Sequence, residues 1–194
     1  VETGNGSVSS VAAHVTMSDD IRAARVMPVQ KPGRSIQDYG TPLEFIAAVE
    51  KRWGKLDIDL AATALNAKAP KFITPEEDSL AKSTKWELSE ANGWLNPPFG
   101  VIEPWVRKVA EHAAKVQLIL MLIPASVGSN WWAEHVHDKC IVHLLRPRLS
   151  FDGKNPYPKD CALLEYSETI SALPGHGAFA ERYRAPSYEC WKWK

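Results

Sequence analysis

The chain has 194 residues, 45% of them hydrophobic and 24% charged, with Lys plus Arg equal to Asp plus Glu at 23 each. That composition fits one globular domain with a sizeable core and is that of neither a fibre nor a membrane protein. A net charge of zero gives no global attraction for nucleic acid, so any nucleic-acid surface has to be local.

Residues 1–33 are rich in Gly, Ser and small side chains, lack sustained periodicity, and read as a flexible arm with a short helix expected at 19–25. They lack the basic start, apolar centre and cleavage site of a secretory signal, so a cytoplasmic protein is expected. One domain is expected over 34–194, with a basic, aromatic tail from about 180. Thr41-Pro42-Leu43-Glu44 predicts a helix start, with Thr41 as cap, Pro42 at the first helical position and Gly54 as the stop. Leu43, Ile46, Val49 and Trp53 recur at helical spacing and are expected to face inward. Residues 56–60 alternate as a strand, and Ala61-Ala62 places small residues at its end, a plausible ligand crevice. Phe72-Ile73 reads as a strand end, and Thr74-Pro75-Glu76-Glu77-Asp78 as a helix start. Trp94-Leu95 is the next strand, and Pro104 opens a helix with Val106, Val109, Ala110 and Ala113 inward. The longest apolar run, 116–124, is broken by Gln117 and falls far short of the roughly 20 residues of a spanning helix. It predicts a buried strand over 118–123, followed by a helix at 131–137 and strands at 141–145 and 162–166. This alternation predicts an α/β fold, a mostly parallel sheet flanked by helices, with ligands at the carboxyl ends of the strands.

Asn96-Pro97-Pro98-Phe99 follows the apolar pair Trp94-Leu95 and carries the most specific chemistry. Two consecutive prolines fix φ and remove two backbone donors, leaving the Asn96 side chain and the Pro97 carbonyl as acceptors on a rigid turn. Convergent acceptors suit an amino group. Taking both hydrogens of adenine N6 favours a pyramidal nitrogen and frees its lone pair for attack, while Phe99 supplies a stacking face. The plain alternative is a turn in which Asn96 bonds its own backbone. Placement at the end of a strand, with an aromatic following, favours the catalytic reading.

Together these segments resemble the small phage-type, Dam-related DNA N6-adenine methyltransferases. The resemblance rests on Asp38-Tyr39-Gly40-Thr41-Pro42, Asp57-Ile58-Asp59-Leu60-Ala61-Ala62-Thr63 with Asn66-Ala67-Lys68, and Phe72-Ile73-Thr74-Pro75-Glu76-Glu77-Asp78-Ser79-Leu80 with Trp86. It continues through Trp94 to the Asn-Pro-Pro-Phe motif, Leu122-Ile123-Pro124-Ala125 with Trp131-Trp132, and Arg148-Leu149-Ser150-Phe151. It implies a Rossmann-like methyltransferase fold in a compact domain, S-adenosyl-L-methionine as donor, S-adenosyl-L-homocysteine as product, and an adenine flipped out of double-stranded DNA. A phage or prophage origin in a bacterial host is implied as well. On the same resemblance Asn96, Pro97, Pro98 and Phe99 are catalytic, and the segment with Asp38, Tyr39, Thr41 and Pro42 lies against the methionine end of the donor. Asp59 with Ala61 forms the donor-binding turn, and Asp78 bonds the ribose or the adenine amine. Each has a plain counterpart: Thr41 as a helix cap, Asp59 as the cap of the next segment, Asp78 as a helix-start carboxylate. The glycine-rich turn of larger methyltransferases is replaced by Asp59-Leu60-Ala61-Ala62, and Pro147 stands where the family usually has glycine. The motif alone leaves cytosine N4, an RNA base or a protein glutamine as other acceptors, and a non-catalytic DNA-binding module of the same fold as a rival.

In-line transfer from a sulfonium requires positioning rather than a metal, because the leaving group departs neutral. His135-x-His137-x-x-Cys140-x-x-His143 has zinc-ligand types, but a helix followed by a strand sends those side chains in different directions, so no metal is expected. The three cysteines, Cys140, Cys161 and Cys190, form no CxxC pair and read as ordinary thiols. Arg146, Arg148, Lys154 and Lys159 follow a strand's carboxyl end and are the expected DNA contacts. Arg182, Arg184 and Trp191-Lys192-Trp193-Lys194 interleave basic and aromatic residues. They read as a frayed terminus packing its tryptophans, with nucleic-acid stacking as the alternative.

Overall fold

The computed structural model describes residues 40–171 and 188–194. The arm expected at 1–33 with its short helix, and Asp38, Tyr39, Arg182 and Arg184, lie outside the described residues. Helix α1 (Leu43–Trp53) starts one residue later than the sequence predicts. Pro42 is extended, with ψ 136°, and takes the cap position; its carbonyl accepts from the Phe45 and Ile46 N–H groups. Thr41 therefore caps nothing. The buried face contains Phe45, Ile46 and Val49, while Leu43 is exposed, contrary to expectation. The stop at Gly54 is as expected, its φ of 90° being a conformation that favours glycine.

The remaining elements are β1 (Ile58–Asp59), β2 (Lys71–Phe72), β3 (Asn92–Leu95), α2 (Glu103–His112), β4 (Leu118–Pro124) and α3 (Asn130–His135), then β5 (Ile141–Arg146), β6 (Cys161–Tyr166), α4 (Glu168–Ser171) and β7 (Tyr188–Lys192). Among the described residues the strands form one sheet in the order β2-β1-β3-β4-β6-β5-β7. Four of its six pairings are parallel, and β6 is antiparallel to both β4 and β5. The mostly parallel α/β architecture read from the sequence is thus present. Because β6 reverses direction twice between its neighbours, β5 runs the same way as β4, and the carboxyl ends of β1, β3, β4 and β5 share one edge. Open sheets of this kind bind ligands at that edge.

All seven residues of β4 are buried. Leu118, Leu120 and Leu122 pack with Phe45 and Val49 of α1 on one face, and Ile119, Met121 and Ile123 with Val106 and Val109 of α2 and Trp132 of α3 on the other. A strand covered on both faces has no polar side, which is why it appears in the sequence as a nearly continuous apolar run.

Two expectations fail. Thr74 and Glu77 do form the reciprocal bonds of a capping box, Thr74 N–H to Glu77 Oε2 at 2.8 Å and Glu77 N–H to Thr74 Oγ1 at 3.3 Å, yet no helix follows. Asp78 turns to φ 47°, and the carbonyls of Ser79, Ala81 and Thr84 accept instead from the Lys108 ammonium of α2. The carboxyl-terminal residues are not a frayed tail either. β7 pairs in parallel with β5, Trp193 is buried with its indole N–H donating to Pro147 O at 2.7 Å, and Trp191 packs on Phe45 and Trp53. Burying such a side chain is worth about 1.5–3 kcal/mol, more than an exposed ion pair contributes, so aromatic packing dominates the attachment of β7.

The histidines diverge. His137 Nδ1 meets the Tyr188 hydroxyl, the Tyr166 hydroxyl donates to the His135 carbonyl, and the Cys140 thiol donates to Val136 O. Burial raises the Cys140 thiol and pushes Cys161 up to about 12, so both stay protonated. Among the described residues no helix is long and apolar enough to cross a membrane.

His143, 1% exposed, meets Glu189 at 2.6 Å and Glu165 at 2.8 Å through its two ring nitrogens, and Arg52 reaches Glu189 at 2.6 Å. Burial pushes the Glu189 carboxyl up, but the bonds from His143 and Arg52 together outweigh it and hold the group below its usual value. A depressed carboxylate stabilises the fold above its unfolded pKa and loses that contribution as pH falls through the lower folded value. Glu189→Gln is therefore expected to destabilise the protein at neutral pH, by an amount that shrinks below about pH 4.5. Urea unfolding across that range checks this; a pH-independent difference contradicts it.

Candidate active site

At the carboxyl edge β1 and β3 are in register, Ile58 opposite Gly93 and Asp59 opposite Trp94. The ladder runs one step further, with Leu60 N–H donating to Trp94 O at 2.8 Å and Ile73 N–H to Asp59 O at 2.9 Å. Beyond these bonds β1 leads into Ala61-Ala62 and β3 into Asn96-Pro97-Pro98, and a cavity of about 520 Å³ opens beside both. That volume is of the size that holds a cofactor or small ligand. Of the residues singled out from the sequence, Thr41, Asp59, Ala61, Asp78, Asn96 and Pro98 line it. Pro42 caps α1 and Pro97 is buried; neither is part of the wall.

Asp59 is 3% exposed, with Oδ1 accepting from Ala61 N–H at 3.2 Å and Oδ2 from Lys68 N–H at 2.9 Å. It closes the 61–68 loop rather than capping a helix. Burial pushes its carboxyl up, and the two backbone bonds offset this only in part. Each oxygen retains acceptor capacity for a ligand. Asp78 Oδ1 accepts from Leu80 N–H at 3.0 Å, and since no helix follows, a helix-dipole role does not apply to it.

Thr41 Oγ1 and Trp94 Nε1 are buried without a hydrogen-bond partner among the described residues, and both residues belong to the cavity wall. An unsatisfied buried polar group costs about 1–3 kcal/mol. Such orphans call for a ligand that offers acceptor atoms, such as a carboxylate or a hydroxyl. In the sequence Trp94 is an apolar strand residue next to the Asn-Pro-Pro turn; that its indole N–H lacks a partner follows only from the tertiary structure.

Asn96 Oδ1 is buried, within a residue of the cavity wall. The Phe99 ring meets Phe151 and Tyr157 at 5.8 Å each, and those two rings are 5.3 Å apart, all near edge-on. Phe99 is thus part of an aromatic cluster shared with the β5–β6 connection, and it is not among the cavity-lining residues. Neither Phe151 nor Tyr157 carries a local signal of this cluster in the sequence, because tertiary contact alone brings them to Phe99. Arg146 ends β5 at this same edge, and Arg148, Lys154 and Lys159 follow in the connection, all four exposed. Arg148 is bonded to Asp160 at 2.7 Å. Asp152 accepts from the Lys154 and Asn155 N–H groups at 2.8 Å each, bonds that fold the connection and hold its carboxyl well below the usual carboxylate range.

A mostly parallel α/β domain with a carboxyl-edge cavity beside an Asn-Pro-Pro-Phe turn is methyltransferase-like in class. The family described as DNA N-6-adenine-methyltransferase (Dam) matches residues 31–162. The chain is 35% identical over 140 residues to the DNA N-6-adenine-methyltransferase of Escherichia phage T1, covering 71% of this chain and 58% of that protein. It is 29% identical over 99 residues to the DNA N-6-adenine-methyltransferase of Haemophilus phage HP1 (strain HP1c1), covering 50% of this chain and 55% of that protein. The matches span a little over half the length of these relatives. This chain belongs to the DNA N-6-adenine-methyltransferase (Dam) family.

Thr41→Val removes the orphaned hydroxyl while keeping its shape. It is expected to leave the ligand-free protein as stable as before, or up to about 1 kcal/mol more stable. Urea unfolding measures this; a clear loss of stability contradicts the assignment of the hydroxyl as unpartnered.

Proposed function

We propose that this chain is a site-specific DNA adenine N6-methyltransferase that uses S-adenosyl-L-methionine and acts on an adenine turned out of double-stranded DNA. The observation that carries this reading is the cavity that brings the Asp59 turn and the Asn-Pro-Pro turn together, in a chain of this family. S-adenosyl-L-methionine supplies an electrophilic methyl group on a sulfonium. Thr41 Oγ1 and Trp94 Nε1 donate to its carboxylate or hydroxyl oxygens, which satisfies both orphaned groups. Asp59 and Asp78 accept from its amine and hydroxyl groups.

Asn96 Oδ1 and the Pro97 carbonyl accept the two hydrogens of adenine N6, so that the nitrogen lone pair points at the methyl carbon. The C–N bond forms as the S–C bond breaks, and N6 then releases one proton to solvent. Positioning of this kind supplies several kcal/mol of the barrier, roughly 7–11 in the most favourable cases. Phe99, buttressed by Phe151 and Tyr157, stacks on the base after a reorientation of the cluster. Extrusion costs a few kcal/mol, which such stacking offsets. Arg146, Arg148, Lys154 and Lys159 meet backbone phosphates, and this local basic edge reconciles DNA binding with a net charge of zero.

Incubation of wild-type protein with labelled donor and duplex DNA, followed by nucleoside mass spectrometry, is expected to yield N6-methyladenine. Asn96→Ala should lower transfer by about a hundredfold or more, as the loss of a transition-state contact does, while still binding S-adenosyl-L-homocysteine. Methylated cytosine or glutamine as the product, or undiminished turnover by the variant, overturns the reading.

A further inference from the structure

Lys108 projects from α2 and does not line the cavity, yet it is bound into the loop that does. Its ammonium donates to the carbonyls of Ser79 at 2.5 Å, Ala81 at 3.1 Å and Thr84 at 3.1 Å, one acceptor for each of its three N–H groups. The Trp86 ring lies 4.8 Å from the charge, and the Trp86 indole N–H donates to Ser79 Oγ at 3.0 Å. Ser79 and Trp86 are both buried. Residues 79–86 therefore close on a cation delivered by a distant helix, much as a loop closes around a bound metal ion.

The same loop carries Asp78 and Ser79 to the cavity wall. Asp78 holds φ 47°, a conformation uncommon for a residue with a side chain, and its local bonds are short-range: its N–H donates to Pro75 O at 3.2 Å, Leu80 N–H donates to its Oδ1, and Ala81 N–H donates to its carbonyl. The capping box formed by Thr74 and Glu77 is not followed by a helix; the Thr84 hydroxyl donates to Glu77 O at 2.9 Å, and the chain then turns its carbonyls toward α2. Three charge-assisted bonds from one ammonium hold the non-helical path. Burial pulls the Lys108 ammonium toward neutrality, and the charges of Asp78 and Glu111 act against this.

We propose that Lys108 is a positioning residue for the donor site: it fixes the 78–84 loop so that Asp78 and Ser79 face the ligand. This rests on the assignment of the cavity to S-adenosyl-L-methionine made above. The residue touches neither donor nor base and acts through the loop carbonyls.

Lys108→Met keeps an unbranched stem on α2 and removes all three donors. By calorimetry its affinity for S-adenosyl-L-homocysteine is expected to fall about tenfold or more. The KM for the methyl donor should rise while kcat at saturating donor is retained. Hydrogen exchange should speed up at the Leu80, Ala81 and Thr84 amides but not at Val106 and Val109, which report on an intact α2. Lys108→Ala leaves room for a small amine, and ethylammonium should restore part of its affinity. Wild-type affinity and exchange in Lys108→Met overturn the proposal, and so does a loss that extends equally to α2 and resists the amine. Failure of the wild-type protein to bind S-adenosyl-L-homocysteine refutes the donor assignment instead, and the exchange comparison then still decides whether Lys108 holds the loop.

Discussion

Asp59 lies opposite Trp94 in the parallel pairing of β1 with β3, and that register decides which side chains meet at the carboxyl edge. Adjacent strands sit about 4.8 Å apart, so the Asp59 turn and the Asn96 turn leave the sheet side by side. A slip by one residue would move Trp94 to the opposite face and away from Phe45 of α1, whose ring centroid lies 6.3 Å from its own. The register is pinned at the other end of the same strands. Asn92 N–H donates to Asp57 Oδ2 at 2.8 Å, its Nδ2 to Lys55 O at 2.9 Å, and its Oδ1 accepts from Gln117 at 3.0 Å. One asparagine thus links the end of α1, the approach to β1 and the approach to β4.

The cavity combines groups that a closed core would not tolerate together: a buried carboxylate with a raised pKa, two orphaned donors, and an aspartate in a left-handed conformation. Strained and unsatisfied groups persist where the surrounding structure over-determines them. Here that structure is β4, buried along its whole length between two cores, and the edge strand β7, locked by Trp191 and Trp193. The loops that rim the site are tied by side chains, Asp59 at the end of β1 for 61–68 and Lys108 of α2 for 79–84. Ligand complementarity is therefore built on rigid strands, and its adjustable parts are side-chain bonds.

Periodicity made the interior legible. The apolar run became β4, the spacing of Val106 and Val109 became the buried face of α2, and the small pair Ala61-Ala62 marked the crevice. Asp59, Asp78 and Asn96 of the cavity wall could be named because the Asn-Pro-Pro-Phe motif and the segments around the two aspartates carry local chemistry. Features set by tertiary contact were not legible. Thr41-Pro42-Leu43-Glu44 reads as a helix capped by Thr41, and the extended ψ of Pro42, which the sequence does not reveal, moves the cap one residue on. The capping box at Thr74 is sound locally, yet the carbonyls that follow it accept from a lysine on another element rather than from a helix of their own. The tail becomes a strand because β5 offers it a free edge, information that its own residues do not hold.

The central claim is that the methyl donor binds in the cavity where Trp94 and Thr41 present unpartnered donors. The indole N–H resonance of Trp94, assigned with Trp94→Phe and followed by NMR during titration with S-adenosyl-L-homocysteine, tests this most directly. It should shift in step with saturation, while the indole of Trp193, already bonded to Pro147, stays in place. Saturable binding that leaves the Trp94 resonance unmoved would contradict the claim.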